Sequence, residues 1–276
     1  MDGAMKEMTM DDVKAVSLDV LQEFHDFCEA NGLRYSLGFG TLLGAIRHKG
    51  FIPWDDDVDV VMPRPDYERF FELYRNTSDF AAIDHHHGGA LIAFGRLCDM
   101  KRTCVDSSVA RWTEGETGVW IDIFPLDGSE NNFEDLLKRM KVQKRKWTKG
   151  LSMRLALRSF SQCSSFAEKL RLLVKKIMFA GQSVDAIVES HIMECKRYGW
   201  DESKYVGHFS HLENRIKCLW PKEDFEAYVL GDFEGRQFEI CAGYDRVLTQ
   251  IYGDYMQLPP KEQQVPRHGF NKFFWK

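Results

Sequence analysis

An acidic run that leads directly into an apolar segment is the most constraining feature of this sequence. Residues 52–62 read IPWDDDVDVVM, with four carboxylates in five positions followed by valines and a methionine. Neighbouring carboxylates repel one another unless a positive partner neutralises them. In an extended segment alternate side chains share a face, so Asp55, Asp57 and Asp59 would project one way. Asp56 would project the other way from a strand that we predict over residues 57–62.

Three converging carboxylates are typical of a site for a hard cation. Mg²⁺ and Mn²⁺ prefer oxygen ligands, and in enzymes they bind through one or two carboxylates together with the phosphates of a substrate. An acidic run can also be a solvated turn. Because this run continues into apolar residues that a core would bury, we predict that Asp55, Asp57 and Asp59 hold Mg²⁺ (or Mn²⁺).

A glycine-containing turn precedes the acidic run. Residues 33–39 alternate between apolar and polar positions as a strand does, and residues 42–47 read LLGAIR, which is typical of a helix. Backbone N–H groups at the start of a helix can bind phosphate, although a glycine pair is also common in plain tight turns. We predict that Gly38, Gly40 and Thr41 lie beside a phosphate and that Arg47 helps to bind it. A solvated surface arginine is the alternative for Arg47.

A further carboxylate occurs in residues 118–128, GVWIDIFPLDG, which alternate as a strand. Asp122 is polar on an otherwise apolar strand, so it needs a buried partner or a metal ion. We interpret it as a catalytic metal ligand or general base, because phosphoryl transfer needs a group that takes the acceptor proton. The alternative is a residue that caps the turn near Asp127.

Helical and strand patterns interleave along the chain, which predicts an α+β (mixed α/β) fold with a small mixed sheet flanked by helices. The first helix is predicted over residues 13–27, capped by Asp11 or Asp12 and ended by Gly32. We divide the chain into a catalytic core at 1–130, a basic helical addition at 131–200 and a C-terminal helical and loop segment at 201–276. Residues 133–180 carry thirteen Lys and Arg against three Asp and Glu.

Composition excludes several classes of protein. A net charge of −5 and 29% charged residues are those of an ordinary globular protein, so we expect no nucleic-acid partner. The sequence has no apolar run of the roughly 18 residues that a membrane-spanning helix needs, and we expect a cytoplasmic protein. The basic segment at 133–180 is either a solvated helical cover or a surface that contacts the inner face of the membrane. The run His85, His86 and His87 is left without a role, because adjacent side chains cannot all face one ion.

Three blocks of sequence together resemble the LicD family of phosphocholine transferases: LGFGTLLGAIRHKGFIPWDDDVDVVM at 37–62, VWIDIFPLDG at 119–128 and YGDYMQLPP at 252–260. That family belongs to the nucleotidyltransferase superfamily and is similar to the fukutin-type ribitol-phosphate transferases. The resemblance implies a nucleotidyltransferase-like fold and a CDP-alcohol donor, with CDP-choline favoured. It also implies transfer of the phospho-alcohol to a sugar of a surface glycan, such as lipopolysaccharide or teichoic acid, with release of CMP.

Carried over position by position, the resemblance implies that Gly40 and Thr41 form the turn beside the donor phosphates. It further implies a metal-binding set that consists of Asp55, Asp57, Asp59 and Asp122. Within this set, Asp57 and Asp59 are the paired carboxylates of the superfamily, and Asp122 matches its later-strand carboxylate. The acceptor would be a glycan that is lipid-linked if the basic segment contacts a membrane.

Two other functions are compatible with the same residues. A nucleotidyltransferase would move a nucleoside monophosphate from a triphosphate and release pyrophosphate, using the same cation arrangement. A binding module that had lost its chemistry would be expected to have a broken carboxylate set, whereas all four acids are present in this sequence. The order of the three blocks favours the phospho-alcohol transferase, and the sequence does not identify the alcohol or the acceptor sugar.

Overall fold

The computed structural model describes residues 5–105, 117–130, 133–156, 159–210, 216–265 and 272–276. Helices and strands interleave there, which confirms the predicted α+β class. The helices are α1 Met10–Asn31, α2 Phe39–Arg47, α3 Arg64–Leu73, α4 Phe133–Ala156, α5 Phe166–Met178, α6 Val184–Cys195 and α7 Tyr244–Tyr252. The strands are β1 Ser36–Leu37, β2 Asp59–Pro63, β3 Phe80–Ile83, β4 Gly95–Asp99, β5 Thr103–Val105, β6 Trp120–Gly128, β7 Tyr205–Gly207, β8 Leu219–Pro221, β9 Tyr228–Phe233, β10 Arg236–Cys241 and β11 Phe273–Trp275.

The principal sheet is mixed and has the strand order β1-β2-β6-β4-β3. The central pair β2 and β6 is parallel, whereas β1 pairs with β2 and β4 pairs with β6 in the antiparallel sense. The far end of β6 pairs with β7, which in turn pairs with β8. The parallel register places Asp59 of β2 opposite Asp122 of β6. The sheet therefore brings together two acidic segments that are far apart in the sequence.

The first helix covers the sheet with one apolar face. Val16, Val20 and Phe24 are buried at helical spacing and belong to the main core. The helix begins earlier than predicted, because the Thr9 side chain accepts from the backbone N–H of Asp12 in a capping box. Asp12 thus supports the cap and does not form it. Gly32 ends the helix, as predicted, and it adopts the left-handed conformation with φ of 62°.

Helices α4, α5 and α6 lie within the segment predicted to be a helical addition, of which residues 131, 132, 157 and 158 are outside the described part. A small apolar cluster of Met153, Val184, Val188 and Ile192 packs against Ala93, which precedes β4. Arg139 of α4 is buried and donates to backbone oxygens at the end of β6 and the end of α6. The three-segment division of the chain stays a prediction.

The C-terminal part returns to the core. The hairpin of β9 and β10 lies beside β1, because the backbone N–H of Cys241 donates to the Ser36 hydroxyl over 2.9 Å. The last strand, β11, pairs with β5 in a separate two-stranded sheet. Among the described helices, none has the length and apolar character that crossing a membrane requires.

Candidate active site

Two carboxylates face each other at the start of the parallel strand pair. Asp59 is the first residue of β2 and is the register partner of Asp122 in β6. The backbone N–H of Asp122 donates to the carbonyl of Val58 over 2.9 Å, which fixes the two strand starts relative to each other. Register partners on neighbouring strands project from the same face of a sheet. The fold therefore brings Asp59 and Asp122 together, as the sequence hypothesis of one acidic site requires.

The segment before β2 is a turn and not the start of the strand. The backbone N–H of Asp55 donates to the carbonyl of Ile52 over 2.9 Å, and the strand begins only at Asp59. Carboxylate oxygens of Asp55, Asp56 and Asp57 all lie within 4.8 Å of one another. The prediction that Asp56 projects away from its neighbours is therefore wrong, because the alternation of a strand does not apply to a turned backbone. Asp56 joins the carboxylate group, and the sequence pattern gave no sign of it.

The carboxylates of this group act on one another electrostatically. Burial raises the pKa of Asp59 well above its ordinary value, and the charges of Asp57, Asp122 and Asp55 raise it further. Such a group is unfavourable while all its members are ionised and no cation is near. Clustered carboxylate oxygens are the ligand type that Mg²⁺ and Mn²⁺ prefer. The donor set of this turn and strand pair therefore fits a divalent hard cation.

One arginine partly balances the acidic group. Nε of Arg96, on β4, donates to Oδ1 of Asp122 over 2.7 Å, and both side chains are largely buried. The Arg96 guanidinium also lies over the Trp120 ring, 4.2 Å from its centroid. The ladder of β4 and β6 makes Arg96 and Asp122 register partners. This contact fixes the orientation of the Asp122 carboxylate, and it depends on a strand pairing that the sequence did not predict.

The glycine turn packs directly against the acidic segment. The backbone N–H of Gly38 donates to the carbonyl of Asp59 over 2.8 Å, and the Thr41 hydroxyl accepts from the Asp59 N–H over 2.9 Å. A β-carbon at Gly40 would overlap the carboxylate of Asp55. Helix α2 begins at Phe39, immediately after Gly38, so its first N–H groups lie in this turn. The structure thus brings Gly38, Gly40 and Thr41 together with the carboxylates.

Arg47 makes contacts of a different kind at the other end of α2. Its Nη1 donates to the carbonyls of Tyr255 and Gln257 over 2.7 and 3.1 Å. Burial lowers the pKa of the guanidinium. Arg47 therefore ties α2 to the C-terminal YGDYMQLPP block, and its role at a phosphate stays a prediction.

Comparisons with known proteins agree with this arrangement of blocks. The family described as "LicD/FKTN/FKRP, nucleotidyltransferase domain" matches residues 32–167. A Haemophilus influenzae protein named lipopolysaccharide cholinephosphotransferase LicD is 34% identical over 272 residues, which cover 96% of this chain and 97% of that protein. Uncharacterized proteins of two Rickettsia species match shorter parts. The one from Rickettsia typhi is 36% identical over 73 residues, covering 26% of this chain and 24% of its own length.

The protein from Rickettsia prowazekii is 31% identical over 107 residues, covering 38% of this chain and 37% of its own length. The matched family region contains the glycine turn, the acidic run and the strand that carries Asp122. The near full-length relative also extends over the helical addition and the C-terminal block. From these matches, the chain belongs to the LicD family of nucleotidyltransferase-domain proteins.

Proposed function

We propose that this protein transfers phosphocholine from CDP-choline to a sugar of a cell-surface glycan and releases CMP. The near full-length relative of Haemophilus influenzae is named as a cholinephosphotransferase of lipopolysaccharide, which supports both the group transferred and the class of acceptor. The observation that carries the proposal is the close packing of the turn at Gly40 and Thr41 against the acidic segment. A β-carbon at Gly40 would overlap the Asp55 carboxylate, and the Thr41 hydroxyl accepts from the backbone N–H of Asp59. A phosphate held by that turn would lie beside the acidic group.

The carboxylate group suits the cation that a diphosphate donor would bring with it. Asp57 and Asp59 would hold Mg²⁺ or Mn²⁺, with further oxygens from Asp55 and Asp122. A bound cation of this kind neutralises phosphate charge and stabilises the charge that develops on the leaving group. The raised pKa of Asp59 supports this assignment, because a nearby divalent cation would offset the repulsion that causes it.

The remaining roles belong to the side chains and backbone of the chain. N–H groups in the first turn of α2 would bind the donor phosphates, since they point out of the helix start and carry its positive dipole end. Oδ1 of Asp122 accepts from Arg96, and its other carboxylate oxygen would accept the proton of the sugar hydroxyl. The hydroxyl would then attack the phosphorus that carries choline, and CMP would leave from the opposite side.

Thermal stabilisation separates this reaction from the nucleotidyltransferase alternative at the level of binding. Purified protein is melted with CDP-choline, CDP-ribitol, CDP-ethanolamine, CTP or ATP, with and without Mg²⁺. A ligand that binds only the folded state stabilises it by about 2.7 kcal/mol at a hundredfold excess over its dissociation constant. We expect a Mg²⁺-dependent shift with CDP-choline that is lost in Asp57→Asn and retained in Asp135→Asn, an exposed carboxylate of α4.

Product analysis then tests the reaction. With CDP-choline and a lipopolysaccharide-type acceptor, we expect CMP and phosphocholine-modified glycan. Release of pyrophosphate from CTP or ATP, without CMP from any CDP-alcohol, would support the nucleotidyltransferase alternative. Transfer from CDP-ribitol or CDP-ethanolamine in preference to CDP-choline would retain the reaction class and change the alcohol.

We further propose that the outer face of α5 rests on an anionic membrane surface. Six large apolar side chains of this helix are each at least 44% exposed: Phe166, Leu170, Leu173, Val174, Ile177 and Met178. At 100° per residue they form one stripe, while the opposite side of the helix buries Leu172. The stripe is bordered by Lys169 and Lys176 along one edge and by Arg171 and Lys175 along the other. An apolar stripe between two basic edges is typical of a helix that lies in a lipid interface.

A basic surface next to α5 extends this positive region. An open groove on α4 is lined by Lys141, Lys144, Arg145 and Lys149, together with Phe179, the residue after α5. Basic residues near a membrane attract anionic lipid by about 1 kcal/mol each. Bound in this way, the enzyme would meet a lipid-linked glycan at the membrane in which that glycan is anchored.

Vesicle sedimentation tests the contact. We expect the protein to sediment with phosphatidylglycerol vesicles at low salt, less at high salt, and not with phosphatidylcholine vesicles. Ile177→Glu should abolish sedimentation, whereas Leu230→Glu, at a similarly exposed apolar residue of β9, should not. If Ile177→Glu instead converts an oligomer to a monomer without affecting vesicle binding, α5 contacts a second copy and the membrane proposal is wrong.

A further inference from the structure

A second group of potential metal ligands lies outside the acidic site, where the loop after β3 meets α6. One nitrogen each of His85 and His86 and one carboxylate oxygen of Glu189 all lie within 4.8 Å of one another. Glu189 is on α6, more than a hundred positions along the chain. The loop lies at the β3 end of the sheet, with β4 and β6 between it and β2. The proposed transfer reaction makes no use of this group.

The loop holds its histidines in a fixed conformation. Buried Asp84 accepts through Oδ1 from the backbone N–H groups of His86 and His87 over 2.9 and 2.6 Å. The backbone N–H of Asp84 also donates to the carbonyl of His87 over 2.7 Å, and that of Ala90 donates to the carbonyl of Asp84. These bonds close the loop on itself. His85 and His86 are thereby presented together without help from a ligand.

Helix α6 supplies the third group from an equally fixed position. Val188 and Ile192, on either side of Glu189 in sequence, are buried against Ala93 in the small apolar cluster. This packing directs Glu189 toward the histidine loop. Its Oε2 lies 2.7 Å from Nε2 of His86 and 3.7 Å from Nε2 of His85. One carboxylate oxygen therefore faces two imidazole nitrogens.

The hydrogen bond on the far side of His85 determines its tautomer. Nδ1 of His85 lies 3.1 Å from the carbonyl oxygen of Ala90, which can only accept, so Nδ1 carries the proton. In the neutral ring Nε2 then has its lone pair directed at the Glu189 carboxylate. Two acceptors that face each other repel unless a proton or a metal cation lies between them. A backbone carbonyl that accepts from the outer nitrogen is also the usual support of a metal-binding histidine.

We propose that His85, His86 and Glu189 bind a divalent transition-metal ion of the Zn²⁺ type. Imidazole nitrogens favour such ions over Mg²⁺. Metal–ligand distances of about 2.0–2.1 Å in a tetrahedral site place the ligand atoms about 3.3 Å apart. The two observed N–O distances of 2.7 and 3.7 Å lie on either side of that value. The two histidines line a cleft of about 240 Å³, from which water can supply the fourth ligand.

The charges around this cleft favour a cation. Glu72 and Asp84 also line it. Of the two cationic side chains in its wall, Arg64 is bound to Asp127 over 2.6 Å, and Lys196 forms an ion pair with Glu68. A metal ion bound here would join the loop after β3 to α6. Its role is therefore to fasten the helical addition to the core.

Zn²⁺ binding to the full chain tests the proposal. Protein stripped with a chelator and kept reduced is titrated with Zn²⁺ in competition with a chromophoric chelator. Mg²⁺ is kept in excess so that the acidic site is occupied, and we then expect one Zn²⁺ site per chain, with binding weakened by about tenfold or more in His86→Gln and in Glu189→Gln. The matched control is His87→Gln, because Nδ1 of His87 is bonded to Asp84 and its ring stacks on Phe71. His87→Gln should bind Zn²⁺ as the wild type does.

Two further readouts make the result specific. Zn²⁺ should raise the melting temperature of the wild type and of His87→Gln, but not that of His86→Gln. The His86 side chain is half exposed, so its substitution should leave the fold intact. Co²⁺ in place of Zn²⁺ should give ligand-field bands without a thiolate charge-transfer band. If the wild type binds no Zn²⁺, the contact is a simple His86–Glu189 hydrogen bond and the proposal is wrong. Equal binding by all variants, or a thiolate band, would also overturn it.

Discussion

Asp59 and Asp122 are register partners on neighbouring parallel strands, so two carboxylates project from one face of the sheet at adjacent positions. Strands in a sheet are about 4.8 Å apart, which is close enough for strong repulsion between partly buried charges. The pKa of Asp59 is raised by burial and by the charges of Asp57, Asp122 and Asp55. Repulsion between these carboxylates therefore lowers the stability of the folded state, and a bound cation would offset that loss.

Asp59→Asn should stabilise the protein when no divalent cation is present. A carboxyl whose pKa is raised in the folded state destabilises that state once the pH exceeds its unfolded value, 3.8. We therefore expect a gain of about 1 kcal/mol or more in the free energy of unfolding at pH 7 in EDTA, by urea denaturation. The gain should disappear below pH 3.8 and should shrink or reverse in Mg²⁺, while transferase activity is lost.

Asp19→Asn is the matched control for the sign of this change in the free energy of unfolding. Burial alone would raise the pKa of Asp19, but hydrogen bonds from Arg102 and Arg236 lower it below 3.8 overall. Its contribution to stability is thus present at neutral pH and is lost as the pH falls through the lowered pKa. We expect Asp19→Asn to destabilise the protein at pH 7, with and without Mg²⁺. A stabilising Asp19→Asn, or a destabilising Asp59→Asn in EDTA, would contradict the electrostatic account.

Gly40→Ala should impair the site while leaving the fold largely intact. A β-carbon at this position would overlap the Asp55 carboxylate, which must then move away. We expect weaker Mg²⁺-dependent binding of CDP-choline, measured by isothermal titration, and a loss of about tenfold or more in kcat/KM. Gly150→Ala in α4 is the control, since its β-carbon would meet only the Ile187 side chain at 3.3 Å. Equal binding by the two variants would contradict the close approach of Gly40 to Asp55.

Arg96→Gln should destabilise the protein and reduce its activity. It removes the donor that binds Oδ1 of Asp122 over 2.7 Å and leaves that carboxylate beside Asp59 without its cation. A hydrogen bond to a charged group contributes about 1.5–3 kcal/mol, and we expect a loss in this range by urea denaturation. Arg246→Gln removes an exposed pair with Glu223 and should change the free energy of unfolding by less than about 0.5 kcal/mol. Similar losses in the free energy of unfolding for both variants would show that the burial of Arg96 does not strengthen its contact with Asp122.

Local features of this fold could be predicted from the sequence because their causes are local. The apolar spacing of α1 and its end at Gly32 depend on neighbouring positions, and the structure confirms both predictions. The fold class followed in the same way from interleaved patterns. The family resemblance was confirmed by comparisons that cover nearly the whole chain.

Features that depend on strand pairing or on a turned backbone could not be predicted. The alternation of a strand puts Asp56 on the wrong side, because the chain turns after Ile52. The contact of Arg96 with Asp122 follows from the antiparallel register of β4 and β6, and no local pattern encodes that register. Glu189 reaches the histidine loop only because α6 packs on Ala93. In each case the decisive interaction joins residues that are distant in sequence or requires a backbone geometry that the residue pattern does not specify.

Arg139→Met should loosen the helical addition from the core. Nη1 of Arg139 donates to the Gly128 carbonyl and to Glu130, and Nη2 donates to the carbonyls of Glu194 and Cys195 at the end of α6. Removing one member of a buried ion pair costs about 3–5 kcal/mol, because the remaining charge stays buried without its partner. We expect a loss of that size in the free energy of unfolding. Relative to the wild type, amide hydrogen exchange should become faster in α4 and α6 and should change little in β2 and β6. Lys138→Met removes an exposed ion pair with Asp135 and should change neither the free energy of unfolding nor the exchange rates. A loss below about 1 kcal/mol in Arg139→Met would contradict the docking role of Arg139.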